Sequence, residues 1–208
     1  MKNINFFGAK GGVGTTTVAA AVALGLGRDG LPVSLGRYGA VVDDDLSAVC
    51  GLGTTGKPGQ EITPNVYLHN EVNLYLSTPP VRAFVTDYGT DLSKVPYLPT
   101  NDNYNVLVVR NEYLGLRRAI HSEHRKEQDG STRLRFDGFV LVEEEGRALG
   151  LREVRDVLGL PHLATIPVTP TIARAVDAGV FVYRLPAEVE RAAKQIVAAA
   201  RASESASV

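Results

Sequence analysis

The chain has 208 residues, of which 44% are hydrophobic and 22% charged, so it can bury one sizeable core and is short for two. A net charge of −1 excludes a globally basic nucleic-acid binder, and any contact with DNA has to come from a local patch. The single cysteine, Cys50, excludes an intramolecular disulfide, and no apolar run approaches the roughly 20 residues of a membrane span, so we expect a cytoplasmic protein that does not enter a membrane.

The first distinctive stretch is residues 8–17, GAKGGVGTTT, which follows the short apolar run Ile4, Phe6 and Phe7 and opens an alanine-rich helix predicted over residues 15–28. Glycine lets the main chain approach a phosphate closely, and the N–H groups at a helix start attract the anion. Strand, glycine-rich turn and helix together predict a phosphate-binding loop. Its predicted nucleotide-binding residues are Gly11, Gly12, Val13, Gly14, Thr15, Thr16 and Thr17.

Residues 10–16, KGGVGTT, resemble the deviant Walker A motif KGGxGK[ST] of the ParA/MinD superfamily of dimerising ATPases. The resemblance makes Lys10 the signature lysine that reaches across the dimer, Thr16 the Mg²⁺ ligand, and Thr17 a further hydroxyl near the phosphates. Thr15 departs from the motif, because it stands where the family has the lysine that reaches the β and γ phosphates. A similar threonine variant is seen in the pilus-assembly proteins CpaE and TadZ.

The resemblance implies an α/β fold with a doubly wound, mostly parallel sheet flanked by helices, a P-loop NTPase of the SIMIBI type. It implies ATP and Mg²⁺ as ligands, bound where the carboxyl ends of the strands meet. It also implies a homodimer that forms on ATP binding and encloses two nucleotides.

The second strand is predicted over residues 31–35, and an acidic run follows it at 43–45. The family ends this strand with switch I aspartates, but an ungapped count from the signature lysine arrives at Arg37 and Gly39. Two interpretations stay open. Either a short insertion displaces the carboxylates and one of these three aspartates acts near the nucleotide, with Asp45 as the catalytic candidate, or the run is a solvated loop that caps the next helix.

Two stretches between this region and the next strand are less distinctive. Residues 53–64 are rich in Gly, Thr and Pro, which predicts an exposed loop. Short alternating segments at 66–68 and 73–76 predict a hairpin or a pair of edge strands.

An apolar strand is predicted at 83–87, ending in Asp87 and followed two residues later by Gly89. By itself an aspartate at a strand end is commonly a turn former. After a phosphate-binding loop, the segment resembles a Walker B and switch II sequence. That resemblance makes Asp87 a carboxylate that holds Mg²⁺ through water, and Gly89 a backbone sensor of the γ phosphate.

A buried strand is predicted at 105–109, followed by a helix to about residue 127. The helix and its exit are rich in cations, which can neutralise DNA phosphates without reading sequence. The alternative is a solvated helix face stabilised by ion pairs. The predicted DNA-binding residues are Arg117, Arg118, Arg125, Lys126, Arg133 and Arg135.

The remaining predicted elements are strands at 136–142 and 162–166 and helices at 151–158, 172–178 and 187–200. Glu143 follows the first of these strands where many family members place a purine-contacting asparagine. Pro167, Val168 and Thr169 resemble the family's IPxD loop, whose backbone groups surround the adenine.

We expect a single P-loop ATPase domain over 1–202 and a disordered tail at 203–208. The function implied is that of a small ParA-type partition ATPase, associated with the nucleoid, that binds non-specific DNA and acts with a ParB-like centromere-binding partner. The alternatives are a positioning scaffold like CpaE and TadZ, or a pseudo-ATPase. Since the loop lysine and the switch I carboxylates are missing, ATP hydrolysis is expected to be slow.

Overall fold

The computed structural model describes residues 3–38, 45–52, 59–69, 81–90, 103–128 and 136–205, with the backbone alone at 45, 69 and 121–128. The strands are β1 (Asn3–Gly8), β2 (Val33–Arg37), β3 (Gln60–Thr63), β4 (Val66–His69), β5 (Ala83–Asp87), β6 (Asn103–Arg110), β7 (Gly138–Glu143) and β8 (His162–Pro167). The helices are α1 (Thr15–Arg28), α2 (Asp45–Val49), α3 (Tyr113–Gln128), α4 (Leu151–Leu158), α5 (Pro170–Asp177) and α6 (Ala187–Ser205).

All the described strands belong to one sheet, in the order β3-β4-β2-β5-β1-β6-β7-β8. Only the β3–β4 pair is antiparallel, and the other neighbours are parallel. On one side of β1 lie β6, β7 and β8 in chain order, and on the other side lie β5, β2, β4 and β3. The predicted doubly wound, mostly parallel sheet is confirmed. This order sets β5 between β1 and β2, although β1 and β2 are neighbours in the sequence.

Helices cover both faces of the sheet. On one face, α1 and α6 pack with the apolar side chains of β1, β2, β5 and β6 in the larger core cluster. On the other face, α3 and α4 cover a smaller cluster. That cluster contains a row of aromatic rings. Between ring centroids, Tyr88 stacks on Phe7 at 4.7 Å, Tyr38 lies 4.9 Å from Tyr88, and Phe136 meets Phe7 edge-on at 5.6 Å.

Several predicted elements have the bounds observed, namely α1, β5 and α4. The second strand was predicted at 31–35 but runs over Val33–Arg37. Pro32 precedes the strand and has no N–H to donate to a neighbouring strand, so the strand begins at Val33. The strand consequently reaches two residues further toward the carboxyl edge of the sheet.

The prediction of a loop over 53–64 is wrong for Gln60–Thr63, which form β3. This strand is the edge of the sheet and pairs with β4 on one side, which holds it in place although its side chains carry no apolar alternation. The predicted segment 66–68 is found as β4, and 73–76 lies outside the described residues.

The predicted disordered tail is wrong for residues 203–205, because α6 continues through Ser205. Ala200 is fully buried and the Ser203 hydroxyl donates a 2.7 Å hydrogen bond to its carbonyl, which supports the last turn. No helix in the described part of the chain is both long and apolar enough to cross a membrane.

Candidate functional site

The predicted phosphate-binding loop lies between the end of β1 and the start of α1, at the carboxyl edge of the sheet. Gly12 and Gly14 have φ angles of 75° and 93°, a left-handed conformation that glycine adopts without a Cβ penalty. Gly14 is the N-cap of α1, and no side chain caps the helix there. The N–H groups of the first turn are therefore not taken by a capping side chain, as an anion site at a helix start requires.

Thr15 stands at the position of the usual lysine, in the first turn of α1. Its side chain is buried, with 6% of the residue exposed, and a Cβ built on Gly8 would overlap its Oγ1. The hydroxyl therefore packs against the end of β1. At this position the chain therefore supplies no cation.

Thr16, Asp87 and Gly89 are brought together from the loop, β5 and the turn after it. The Thr16 hydroxyl donates a 2.6 Å hydrogen bond to Asp87 Oδ2, and the Gly89 N–H donates a 2.8 Å bond to Asp87 Oδ1. The Gly89 carbonyl in turn accepts a 2.7 Å bond from the Gly8 N–H. The carboxylate of Asp87 is fully buried and held by donors from two segments.

Mg²⁺ prefers hard oxygen ligands at near-octahedral geometry and keeps several waters. The adjacent oxygens of Thr16 and Asp87 offer such ligands beside a glycine loop suited to phosphate. The residues present thus fit a magnesium nucleotide, and their roles as ligands stay predictions.

Lys10 forms an ion pair that the sequence analysis missed. Its Nζ lies 2.6 Å from Glu112 Oε1, with 31% of the lysine side chain and 14% of the glutamate side chain exposed. Glu112 lies in the turn between β6 and α3. The sequence contained one indication of this contact. Glu112 follows a predicted strand, and the carboxyl ends of parallel strands meet at the edge of the sheet where the loop of Lys10 lies. Lys10, the predicted signature lysine, is therefore paired with a carboxylate of its own chain.

The ends of β6 and β7 are joined by a second set of contacts that the sequence analysis missed. The buried Asn111 amide donates to the Glu144 carbonyl at 3.0 Å and accepts from the Glu144 N–H at 2.9 Å. Arg147 donates two hydrogen bonds to the Glu144 carboxylate, which hold the pKa of that carboxyl below its usual range. These contacts fix the turn that follows Glu143.

The predicted base-binding loop follows β8. Pro167 pairs in register with Glu143, and the Val168 N–H donates a 2.7 Å hydrogen bond to the Glu143 carbonyl. Thr169 is the N-cap of α5, and its Oγ1 accepts a 3.3 Å bond from the Ile172 N–H. The Val168 N–H is thus already used within the chain, and the Thr169 oxygen accepts a bond that begins α5.

Arg37 is the last residue of β2 and pairs in register with Asp87. Asp45 is the first residue of α2, and the structure describes its backbone alone. Positions 43 and 44 lie outside the described residues. The structure therefore brings Arg37 to the strand end beside Asp87, and the role assigned to Asp45 stays a prediction.

The predicted DNA-binding residues fall into three groups. Arg117 and Arg118 are exposed on α3. Arg125 and Lys126 belong to α3 by their backbone, while Arg133 and Arg135 lie outside the described residues. The first turn of this helix also exposes Tyr113 and Leu114.

No protein-family model and no curated protein sequence matches this chain. Solved structures do match. A ParA family ATPase from Chlorobium tepidum is similar with a TM-score of 0.73 and 15% identity, over 94% of this chain and 97% of that one.

Two further similar structures contain a nucleotide. The septum site-determining protein MinD from Pyrococcus horikoshii, complexed with Mg-ADP, has a TM-score of 0.70 and 19% identity over 99% of this chain and 97% of its own. A putative plasmid partition protein from Borrelia burgdorferi bound to AMPPNP has a TM-score of 0.66 and 13% identity, over 97% and 98%. The fold of this chain is therefore that of the ParA and MinD ATPases, the proteins that its loop sequence resembles.

Proposed function

We propose that this protein is an ATP- and Mg²⁺-binding partition protein of the ParA type, which changes between a monomer and a nucleotide-enclosing dimer. The observation that carries the proposal is the contact of Thr16 with Asp87 beside the uncapped start of α1. It joins a phosphate-binding loop to a Mg²⁺-binding carboxylate. The similar structures with Mg-ADP and AMPPNP support the same ligands.

Hydrolysis is proposed to be slow. The bound Mg²⁺ would supply charge neutralisation on the phosphates, while the loop amides position them. Thr15 contributes no cation, and Lys10 is paired with Glu112. Losing one donor to developing charge costs about 3 to 4 kcal/mol of transition-state stabilisation, so basal turnover is low and depends on a partner.

The dimer is proposed to bind non-specific DNA through α3, in the cytoplasm at the nucleoid, and to segregate a plasmid, phage or chromosome with a ParB-like centromere-binding protein. The exposed Arg117 and Arg118 support this surface. For a chain with a net charge of −1, such a patch has to be local.

Gel filtration and DNA binding without nucleotide, with ADP, and with AMPPNP test the proposal. We expect dimers and DNA binding with AMPPNP alone, and a loss of DNA binding in the double variant Arg117→Ala/Arg118→Ala. The matched control is Arg152→Ala/Arg155→Ala, which removes the same charge from exposed positions on α4. DNA binding that is indifferent to nucleotide, or equally reduced by both double variants, would contradict the proposal.

A second candidate is a positioning scaffold or pseudo-ATPase, in which nucleotide binding and dimerisation matter more than turnover. The buried Thr15 and the arginine at the end of β2 favour it, since both depart from the family's hydrolytic site. AMPPNP-dependent dimers that bind no DNA, together with no partner-stimulated hydrolysis, would select this candidate.

A further inference from the structure

We propose that Arg37 is the cation that recognises the terminal phosphate of a bound triphosphate, taking over the charge that Thr15 does not supply. This inference rests on the proposed nucleotide-binding function and deepens it. It assigns to Arg37 the ability of the site to distinguish ATP from ADP.

The first argument is the register of the sheet. Arg37 and Asp87 are paired residues on the neighbouring parallel strands β2 and β5. Such strands lie about 4.8 Å apart. The backbone of Arg37 therefore lies one strand spacing from that of Asp87, whose carboxylate binds Thr16.

The second argument is the face of the sheet. Side chains alternate along a strand, so Arg37 shares a face with Leu35, which is fully buried in the core cluster beneath α1. Asp87 is on the same face, because its carboxylate accepts from Thr16 in the first turn of α1. Arg37 is thus on the side of the sheet where the phosphate-binding helix begins, and it is partly exposed.

The third argument is the position of the cations at this edge. Thr15 packs against Gly8 and brings no charge, and Lys10 lies in the loop beside Glu112. Arg110 is at the end of β6, which lies on the other side of β1 from β5 and Asp87. Among the described residues, Arg37 is the cation whose strand neighbour is the proposed Mg²⁺-binding carboxylate.

Guanidinium groups suit this role. The planar fork of arginine binds two phosphate oxygens at once and keeps its charge at any working pH. The uncapped N–H groups of α1 are available to any nucleotide phosphate, so they do not separate ATP from ADP. A cation on the β2 side of Asp87 adds an attraction to the third phosphate, which ATP has and ADP lacks.

Isothermal titration calorimetry with Mg²⁺ and either ADP or AMPPNP tests this role in the full chain. We expect Arg37→Gln to weaken AMPPNP binding by about 10- to 100-fold, the loss of one charge-assisted hydrogen-bonding group, and to change ADP binding by less than about threefold. Arg37→Lys should keep part of the preference for AMPPNP, and circular dichroism verifies that each variant is folded. If Arg37→Gln does not fold, the comparison of Arg37→Lys with the wild type carries the test.

The matched control is Arg82→Gln, which removes an exposed arginine just before β5, at the opposite edge of the same sheet. It should leave both affinities unchanged. Equal losses for ADP and AMPPNP in the Arg37 variants, or no loss in either, would overturn the role of Arg37 while leaving the nucleotide site intact. A wild-type protein that binds neither nucleotide would instead overturn the proposed function itself.

Discussion

Thr15 and Thr16 are adjacent threonines whose hydroxyls have different surroundings. Thr15 Oγ1 packs against Gly8, whereas Thr16 Oγ1 donates to Asp87. One side chain therefore supports the end of β1, and the other belongs to the candidate Mg²⁺ site. Their common residue type makes them a matched pair for mutagenesis.

We expect Thr15→Ala to change the affinity for magnesium nucleotide by less than about threefold, because its hydroxyl packs against the end of β1 and the substitution keeps the backbone N–H that a phosphate would use. Thr16→Ala should weaken that affinity by at least about tenfold, since it removes a metal-binding hydroxyl and a donor to a buried carboxylate. Calorimetry in Mg²⁺ and in EDTA measures both. Equal effects of the two substitutions would argue against the assignment of Thr16 to the metal.

The ion pair of Lys10 with Glu112 makes a second prediction at this scale. Glu112→Gln releases the lysine and removes a negative charge near the phosphates, so nucleotide should bind about two- to tenfold more tightly. The gain is measured by calorimetry in the wild-type and Lys10→Ala backgrounds. If it is the same in both, the glutamate acts on the nucleotide directly and not through Lys10.

At the scale of elements, α1 is packed closely on two sides. A Cβ on Gly25 would lie 3.8 Å from the Ala193 Cβ of α6, an ordinary contact distance. A Cβ on Gly27 would instead overlap Val66 Cγ2 and lie 3.3 Å from the Pro64 carbonyl oxygen. The helix therefore tolerates a methyl group toward α6 but not toward β4.

The same substitution should have opposite effects at these two positions. Gly25→Ala is expected to raise the free energy of unfolding by about 0.5 to 1 kcal/mol, through the better helix propensity of alanine. Gly27→Ala is expected to lower it by about 1 to 2 kcal/mol, because overpacking exceeds that gain. Urea unfolding measures both, and a double-mutant cycle with Val66→Ala should show coupling. Destabilisation of similar size at both positions would contradict this account of α1.

Elements whose own residues carry a strong pattern were predictable from the sequence. The alanine-rich α1 and the apolar strand β5 have the predicted bounds, since periodicity and turn residues both mark their ends. β3 could not be predicted, because its polar residues form a strand only through pairing with β4. The contact between Thr16 and Asp87, 71 residues apart, follows from pairing that no local pattern contains.

At the scale of the whole molecule, the strand order decides which distant residues form the site. The fold class was predicted through the resemblance of the loop sequence to the ParA/MinD motif. It did not predict that β5 lies between β1 and β2, and this insertion makes Arg37 a neighbour of Asp87. The contacts of Glu112 and Asn111 also depend on the meeting of strand ends, and the sequence indicated only that both residues follow a buried strand.

The stability of the whole chain should depend on pH through His162 in β8. Burial is the main cause of a lowered pKa for this histidine, whose Nε2 lies 2.9 Å from Thr165 Oγ1. Because the pKa of His162 is lower in the folded state than in the unfolded state, protonation of this histidine lowers the free energy of unfolding. Its contribution to stability is complete above about pH 6.5, the unfolded value, and is lost as the pH falls through the folded pKa.

Urea midpoints measured between about pH 8 and about pH 5.5 check this dependence. His162→Gln should flatten the decline on the acid side of that window, whatever its effect on stability at the alkaline end. An unchanged slope in the variant would mean that another group is responsible.

The row of rings beside the site gives this protein an optical probe of its own. Tyr88 follows Asp87 directly and stacks on Phe7, while the Tyr38 N–H is bonded to the Asp87 carbonyl at 2.8 Å. The chain contains eight tyrosines and no tryptophan, so no indole band covers their signal in the near ultraviolet. Circular dichroism in that region should therefore register occupancy of the neighbouring site without any dye or fluorescent label.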